Sequence, residues 1–377
     1  MQFEFTDDQL ELRDTARRLL ATECPPSVVR AAYEGDESVA AGLWSTLVGL
    51  DWPALGLAEE HGGIGYGFLE VGILVEELAR ATAPSPFLAT LTQLVPMVRE
   101  AGSTLRLAEV AGGTCTGTMA LAEAGTWHTA AVATTAEPVG DGWRIDGVKS
   151  HVLDGATADE LAVVVRLAGS TGDDGLGVLL VPGAAVAATP IHVIDVTMPM
   201  ATVELCGVEV DAGRVLVEPG DPRARSVIDR AVEEATTAVA LSTVAASRAI
   251  FEMTLQYAMD REQFGRPIGS FQALKHRLAD AYLAVERASA LAYFAALTIA
   301  EDDDRRAVAT SMAKAAAGAC QRVVVKDGLQ LHGGVGYTWE HDLHFLLKRA
   351  KSGDLLFGTA AAHRARLAQL LGLEAVA

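Results

Sequence analysis

The stretch YAMDREQFGRPIGSFQALKHRLAD, residues 257–280, places a turn between two long helix-forming regions. The residues that break the helical pattern are Gly265, Pro267 and Gly269. Positive charge is concentrated in the same stretch, at Arg261, Arg266, Lys275 and Arg277. A turn that offers guanidinium groups and a helix N-terminus suits a phosphate group. An ordinary corner between helices, with solvated arginines, fits the same residues equally well.

Long helices are predicted on both sides of this turn. Compositions rich in Ala and other helix formers extend over residues 227–260, 271–300 and 305–330. The acidic run at residues 302–304 separates the last two regions. Helices of this length with short connections favour a four-helix bundle, so we predict a C-terminal helical bundle over residues 223–377.

Upstream of the bundle, residues 116–222 have the pattern of β-strands. Short runs rich in β-branched residues occur at residues 130–135, 161–167 and 178–182. The turn dipeptides that divide this region are Asp141-Gly142, Asp146-Gly147 and Asp154-Gly155. Because no long helical pattern interrupts the runs, we predict a central antiparallel β domain, a barrel or sandwich rather than a parallel sheet.

The first part of the chain, residues 1–115, is predicted to be an N-terminal helical domain. Thr6 and Gln9 match a helix capping box. A Gly-rich loop, HGGIGYG at residues 61–67, precedes a strongly apolar helix around residues 71–81. The predicted fold class is therefore α+β, mainly α, with a helical domain, a β domain and a helical bundle in that order.

Composition and charge exclude several classes of protein. Half of the chain is apolar, which provides for a buried core and argues against intrinsic disorder. The formal net charge is −19, so we expect no nucleic-acid partner. The N-terminus is acidic and no uninterrupted apolar run reaches about 18 residues, so we expect a cytoplasmic protein without a membrane span. Four scattered cysteines are expected to be free thiols, namely Cys24, Cys115, Cys206 and Cys320.

Several generic catalytic motifs are absent from the sequence. There is no G-x-S-x-G, no G-x-G-x-x-G after a predicted strand and no G-x-x-x-x-G-K. Their absence argues against a hydrolase nucleophile elbow, a Rossmann site and a P-loop. His341 and His344 are three residues apart on a predicted helix, next to Glu340. Without a further ligand motif we predict a solvated helix face there and no metal site.

A second unusual stretch is LQLHGGVGYTWEHDLHFLLKRAK, residues 329–351. Its glycines, Gly333, Gly334 and Gly336, would let another backbone or a ligand approach closely. On spacing alone, the ordinary C-terminal cap of a helix is the favoured interpretation of these glycines.

The two stretches together resemble the acyl-CoA dehydrogenase family. The first is similar to the family's R-x-Q-F-G-x-P-I-x-x-F-Q-x-x-x-H-x-L-A-D signature, and the second to its Q-x-x-G-G-x-G-Y segment. The loop HGGIGYG resembles the family's N-terminal Gly-rich loop, and the predicted order of domains is also the family's. The resemblance therefore covers essentially the whole chain. The combined signal is strong because two long motifs fall in the right order at the right distance.

The resemblance implies a flavoprotein whose FAD lies across a subunit interface and whose substrate is an acyl-CoA thioester. The family's phosphate and adenine contacts map onto Arg261, Gln263, Phe264, Gln272, Gln330, Gly333 and Gly334. Thr359, in the Gly358-Thr359 pair, is expected near the flavin. The ending WEHDLHFLLKRAK resembles branches of the family that pair unlike subunits and act on bulky, steroid-derived thioesters.

The sequence departs from the family at the catalytic base. The family has a Glu just before the Gly-Thr pair, and this chain has Phe357, which cannot accept a proton. Some relatives carry the base upstream of the R-x-Q-F-G motif, where this chain has Ala235. The neighbouring Glu234 is turned by about 100° around a helix, so we predict a surface carboxylate rather than a base. Glu234 and Asp354 are the remaining candidates.

The side expected to face the flavin ring also departs from the family. Where a T-E pair and a W-x-T segment are common, this chain has Ala122-Glu123 and His151-Val152-Leu153. His151 is a candidate to stack on a ring, and a structural histidine is an equal alternative.

Three functional hypotheses follow from the sequence. The first is a subunit of a heteromeric acyl-CoA dehydrogenase, in an α2β2 assembly whose homologous partner supplies the base. The second is a homo-oligomeric flavoenzyme, a dimer or tetramer of this fold with altered chemistry of the monooxygenase or oxidase type, using Asp354 or Glu234. The third is a catalytically silent scaffold that has lost flavin.

Overall fold

Helices form the first and last parts of the chain and strands form the middle. The computed structural model describes residues 4–373, so the outermost ends of the predicted first and last domains lie outside the described residues. The helices are α1 (Asp7–Glu23), α2 (Pro26–Tyr33), α3 (Ser38–Val48), α4 (Phe68–Arg80), α5 (Phe87–Ala89), α6 (Val95–Glu100), α7 (Leu107–Ala111), α8 (Ala224–Asp260), α9 (Gln272–Ala300), α10 (Arg306–His332), α11 (Leu343–Leu355) and α12 (Ala360–Leu370). A π-helical turn, Thr90–Leu94, joins α5 to α6.

Two of the three predicted β-branched runs, residues 161–167 and 178–182, lie in strands. The run at residues 130–135 is corrected, because it forms a 3₁₀ turn (Thr129–Ala131) and a loop that leads into the next strand, which begins at Thr135. Further strands lie outside the predicted runs. The strands are β1 (Gly117–Ala120), β2 (Thr135–Val139), β3 (Gly142–Leu153), β4 (Glu160–Leu167), β5 (Leu176–Pro182), β6 (Ala187–Ile191), β7 (Met200–Val210), β8 (Val215–Val217), β9 (Glu262–Gln263) and β10 (Arg266–Pro267). The fold class, α+β and mainly α, is confirmed. The secondary structure changes type close to the predicted domain boundaries, and the division into three domains itself stays a prediction.

The central sheet is mixed rather than wholly antiparallel. Its strand order is β6-β7-β3-β2-β4-β5-β8, and β1 also pairs with β4. The pairs β1–β4 and β2–β4 are parallel and the other pairs are antiparallel. The alternation of apolar residues predicts strands but not their direction, so this part of the antiparallel prediction is corrected.

The predicted turn at Asp146-Gly147 is also corrected, because both residues lie inside β3. A β-bulge occurs there, between Ile145 and Asp146, and the Asp146 carboxylate accepts a hydrogen bond from the Gly207 amide at 2.9 Å. Thr134 approaches so closely that a Cβ on Gly147 would lie 2.4 Å from its hydroxyl oxygen. Gly147 is therefore required for close packing and not for a hairpin.

By internal packing, the described chain divides into two compact units. The bundle unit comprises the chain up to Asp36, Phe68–Ala83 and everything from Thr236 onward. The sheet unit comprises Glu37–Gly67 and Pro84–Ala235. Fully buried aliphatic side chains of the strands form a core cluster of the sheet unit, among them Ile145, Leu161, Val163, Val203 and Leu205.

Small residues let the helices of the bundle unit approach closely. A Cβ on Gly353 of α11 would lie 2.2 Å from the Thr243 hydroxyl of α8, and one on Gly72 of α4 would lie 2.9 Å from Leu241. The Thr243 hydroxyl donates to the Val239 carbonyl at 2.7 Å, so it needs no further partner inside the bundle. Tight contacts of this kind explain why the Ala-rich composition of these helices suits a bundle.

Two of the long helices, α8 and α9, are apolar enough by length and composition to cross a membrane. The apolar window of α8 is 78% buried within the structure, as in the core helix of a soluble protein, and that of α9 is 39% buried. The four cysteines are free thiols; Cys24, Cys115 and Cys320 are buried and Cys206 is exposed.

Candidate functional site

The first predicted cofactor segment folds into a tight hairpin at the end of α8. Strands β9 and β10 pair antiparallel, and the two residues between them, Phe264 (φ 55°) and Gly265 (φ 74°), are both left-handed. Two successive left-handed residues form the type of turn that matches the twist of a hairpin. As a result the Phe264 side chain is 92% exposed. The Ile268 amide donates to the Arg261 carbonyl at 2.8 Å and closes the base of the hairpin.

The hairpin leaves two guanidinium groups available. Arg261 is exposed and forms no ion pair or side-chain hydrogen bond with any residue that the structure describes. Arg266 lies 4.2 Å from the centre of the Phe271 ring and also lacks a described carboxylate partner. In a chain with a net charge of −19, arginines without partners are suited to an anionic ligand.

The other polar residues of this segment are also exposed. The Gln263 amide donates to the Glu262 carbonyl at 2.7 Å, and Gln272, the first residue of α9, lies 3.0 Å from the His276 ring. These contacts are local and lie at the surface, so both amides are accessible to a ligand.

The second predicted segment begins where α10 ends. Gly333 has φ 62° and ψ −141°, a conformation that only glycine adopts readily, and it opens the 3₁₀ turn Gly333–Tyr337. A Cβ on Gly333 or Gly334 would meet nothing within 4 Å, so the space above both residues is open. Gln330 is exposed one turn earlier on α10. The predicted helix cap and an open surface for a ligand are thus both present.

Phe357, which the sequence resemblance assigns to the position of the family's base, lies in the turn between α11 and α12. Its backbone is left-handed (φ 56°), as is that of Gly358 (φ 99°), and the Phe357 side chain is only 7% exposed. The Phe357 carbonyl accepts from the His363 ring at 3.0 Å. Thr359 caps α12, since its hydroxyl accepts from the Ala362 amide at 3.4 Å. The turn thus has two successive left-handed residues, but the Phe357 side chain can act neither as an acid nor as a base.

A buried lysine holds this turn from α10. The Lys314 ammonium group is fully buried and donates to the carbonyls of Asp354 at 3.0 Å and Gly358 at 2.7 Å. Burial lowers the pKa of Lys314 to about 7, although the Asp354 carboxylate opposes this effect. One helical turn later, a Cβ on Gly318 would lie 2.1 Å from an Asp354 oxygen. The sequence analysis missed Lys314, whose only signal is a charge inside an Ala-rich helix.

Asp354, one of the two candidate bases, is 3% exposed. Its Oδ2 accepts from the Gln321 amide at 3.1 Å and lies 3.6 Å from the Lys351 ammonium group. These contacts give Asp354 a role in fixing the helix packing below the turn.

Glu234, the other candidate, is 2% exposed, so the prediction of a surface carboxylate is wrong. Helix α6 covers it, and the Arg99 guanidinium donates to the Glu234 carboxylate. Burial lowers the pKa of Arg99, but the carboxylates of Glu234 and Glu100 raise it by more, so the arginine stays charged. A contact with a segment 135 residues away has no local signal in the sequence. Ala235, beside it, is also buried.

The region expected to face a flavin ring contains a buried ion pair. The Lys149 ammonium group, fully buried, donates to the Glu123 carboxylate at 2.5 Å. The amides of Ala133 at 2.7 Å and Thr134 at 3.1 Å donate to the same carboxylate. Burial lowers the pKa of Lys149 to about 8, and Glu123 limits the shift. All these donors are internal, so Glu123 fixes the loop and is not available to a ligand.

His151 follows Lys149 by two residues, at a β-bulge of β3. Its backbone is left-handed (φ 52°), its side chain is exposed, and its ring centre lies 6.0 Å from that of Trp127. Sequence analysis did not identify Trp127, because this residue lies in a loop after the Ala122-Glu123 pair that was compared with the family.

His341 and His344 have separate contacts. His341 precedes α11 rather than lying within it, and its Nδ1 accepts from the Leu343 amide at 3.2 Å. His344 stacks on Trp339 with ring centres 4.9 Å apart. Within residues 4–373, no group of three or more His, Cys, Asp or Glu side chains is placed to hold a metal ion.

Comparison with known proteins identifies the family. The profile described as "Acyl-CoA dehydrogenase, C-terminal domain" matches residues 225–372, and that of "Acyl-CoA dehydrogenase, N-terminal domain" matches residues 6–118. Acyl-CoA dehydrogenase IpdE2 of Mycobacterium tuberculosis is 30% identical over 350 residues, covering 91% of each chain. The 3-sulfinopropanoyl-CoA desulfinase of Paraburkholderia xenovorans is 28% identical and covers 98% of this chain and 97% of its own.

Two solved structures are also similar. A chain of the ChsE4-ChsE5 complex from Mycobacterium tuberculosis superposes with a TM-score of 0.89 at 26% identity and covers 100% of both chains. A variant of the Tcur3481-Tcur3483 steroid ACAD gives a TM-score of 0.86 at 29% identity and covers 97% of this chain and 98% of that one. Fold and relatives define a flavin-dependent oxidoreductase that uses FAD and acts on acyl-CoA thioesters. The chain belongs to the acyl-CoA dehydrogenase family.

Proposed function

We propose that this chain is one subunit of a heteromeric acyl-CoA dehydrogenase whose homologous partner supplies the catalytic base. The observation that carries the proposal is Phe357 at the family's base position, since a phenyl ring accepts no proton. Neither candidate substitute is poised to replace it, because Glu234 is buried against Arg99 and Asp354 against Gln321. The proton must then pass to a group outside this chain.

In this proposal the chain contributes residues that bind FAD. When bound, FAD supplies the hydride acceptor. Exposed guanidinium groups hold the phosphates, and the open glycine segment admits them to its backbone amides. The residues assigned to this contact are Arg261, Gln263, Phe264, Gln272, Gln330, Gly333 and Gly334. Thr359, fixed at the start of α12, is assigned to the side nearer the flavin.

The partner is proposed to be a homologous subunit in an α2β2 assembly. The similar ChsE4-ChsE5 structure is a complex of two differently named chains. On the bundle unit, Leu283 is 65% exposed and Tyr337 is 74% exposed. Large exposed apolar and aromatic side chains are typical of protein interfaces, so this unit carries surface for a partner.

The proposed substrates are bulky acyl-CoA thioesters of steroid or fatty acid degradation, and the proposed location is the cytoplasm. The support for the steroid class is the similarity to the structure named a steroid ACAD, at 29% identity over nearly the whole chain.

Co-expression with the homologous dehydrogenase subunit, followed by counting FAD per pair of subunits, tests the proposal. The complex should bind FAD and oxidise acyl-CoA, while this chain alone should do neither. Within the complex, Arg261→Gln should lower FAD affinity by about tenfold or more, because a charge-assisted contact is lost. Arg287→Gln, at an exposed arginine of α9, is the matched control and should leave it unchanged. Turnover by this chain alone would contradict the proposal.

A homo-oligomeric enzyme with altered chemistry is the second candidate. It is favoured by the desulfinase relative, whose name shows that chains similar over 98% of this one carry out other reactions. In that case Glu234→Gln or Asp354→Asn should abolish turnover of the homo-oligomer. If no assembly of the chain retains flavin, the silent scaffold is the remaining explanation.

A further inference from the structure

A pair of stacked rings joins the two segments assigned to FAD. Tyr257 lies on the last turns of α8, four residues before Arg261, and His332 is the last residue of α10, immediately before Gly333. Their ring centres are 4.4 Å apart and their planes are inclined by 24°. Tyr257 and Gly333 are 76 residues apart in the sequence. The stack is therefore a direct link between segments that are distant in sequence.

The hydrogen bonds around His332 fix its protonation state. Its Nδ1 lies 2.9 Å from the Gly328 carbonyl, which can only accept, so Nδ1 carries the proton. The other nitrogen, Nε2, is buried and has no hydrogen-bond partner among the described residues. The imidazole is 3% exposed, and burial lowers the pKa of His332, with His341 adding to the effect and the Gly328 carbonyl opposing it.

Few titratable groups face this ring. From α8 it meets the Tyr257 phenol, and from the segment before α11 it meets the His341 imidazole, whose ring centre is 5.0 Å away. No described carboxylate lies within ion-pair distance of the His332 ring. Protonation at Nε2 would thus bury a charge without an acceptor beside a second imidazole, and the stacked geometry favours the neutral ring.

We propose that His332 is a positioning residue of the FAD site, which holds Gly333 and Gly334 against the last turns of α8, the helix that Arg261 directly follows. This inference rests on the proposed assignment of both segments to FAD. His332 contacts no cofactor in the proposal and acts through the backbone that follows it. Gly336 supports the same packing, since a Cβ there would lie 3.0 Å from the His332 Cβ.

The test compares FAD release from the loaded assembly between about pH 5 and pH 8. Wild-type protein should lose flavin faster as the pH falls below about 6.5, the ordinary pKa of histidine. His332→Ala should release FAD about tenfold faster even at neutral pH, because the stack is gone. His332→Phe keeps an aromatic ring and removes the titration, so it should match wild type at neutral pH and show no acid loss.

His344→Phe is the matched control, because His344 is also a stacked imidazole but packs on Trp339 instead of α8. Its pH profile of FAD release should equal that of wild type. A second readout needs no flavin: hydrogen exchange of the amides in residues 333–337 should rise in His332→Ala and not in His332→Phe.

The outcomes separate this inference from the function on which it rests. If wild-type protein binds FAD and His332→Ala releases it at the wild-type rate, the inference is overturned and the proposed function stands. If His332→Phe retains the acid loss, another group titrates and the inference is also overturned. If no assembly binds FAD at any pH, the proposed function fails, and hydrogen exchange alone then reports whether His332 orders the segment.

Discussion

Replacing Lys314 by Met should change how the stability of the protein depends on pH. The pKa of Lys314 is lowered from 10.5 to about 7 in the folded chain, a difference of about 3.5 units (10.5 − 7). Between these two pH values the unfolded chain binds more protons than the folded chain. The free energy of unfolding therefore rises as the pH rises through this window and decreases as the pH falls. At about 1.4 kcal/mol per unit, the full window corresponds to an order of about 5 kcal/mol.

The substitution removes this pH-dependent contribution and also removes the donor to two buried carbonyls. Each unsatisfied carbonyl costs about 1–3 kcal/mol, so Lys314→Met should be destabilising where the amine is neutral. The cost should be smaller below pH 7, where wild type bears a buried charge. Between about pH 7 and pH 8.5 the difference between wild type and Lys314→Met should grow by roughly 2 kcal/mol.

Urea unfolding at a series of pH values measures this difference directly. Lys326→Met, at an exposed lysine of the same helix, is the matched control and should give a small difference that does not vary with pH. If the free energies of unfolding of wild type and Lys314→Met depended on pH in the same way, the lowered pKa of Lys314 would be wrong. The role of Lys314 in holding the Phe357 turn would then also be wrong.

Two further changes test the packing around the candidate site. Arg99→Met removes the guanidinium group that donates to the 2% exposed Glu234 carboxylate, while Arg99 itself is 45% exposed and partly screened by solvent. The loss of this charge-assisted contact should lower the free energy of unfolding by about 1–3 kcal/mol, measured by urea denaturation, and an unchanged free energy of unfolding would contradict the contact. Gly318→Ala places a Cβ 2.1 Å from an Asp354 oxygen and should lower the free energy of unfolding by about 1–3 kcal/mol. Gly334→Ala has open space above it, so it should leave the thermal midpoint unchanged but weaken FAD binding, measured by titration. Equal effects of the two alanine substitutions on stability would refute this distinction.

Much of the fold was predictable because its signals are local. The long helices followed from Ala-rich composition between clear breakers, and the capping box at Thr6 and Gln9 is formed as the sequence indicates. Strand direction was not predictable, since burial of β4 on both faces gives the same apolar run whether its neighbours are parallel or antiparallel. Asp146-Gly147 was misread as a turn because a bulge has the same residue preferences.

The candidate site was predictable only where a long motif carries it. The hairpin at Phe264 and the glycine turn at Gly333 follow from residues adjacent in sequence. The burial of Glu234 depends on Arg99, and the geometry of the Phe357 turn depends on Lys314. Such partners are brought together only by tertiary packing, so no local sequence pattern predicts them.

The origin of the base is tested most directly by exchange of the thioester α-proton with deuterated solvent. The same acyl-CoA should be incubated with FAD and either this chain or its co-purified complex, and deuterium at the α-carbon measured by mass spectrometry. With Phe357 in the place of a carboxylate, this chain alone should give only the background rate, and the complex should give rapid exchange. Rapid exchange by this chain alone, abolished by Glu234→Gln or Asp354→Asn, would contradict the account.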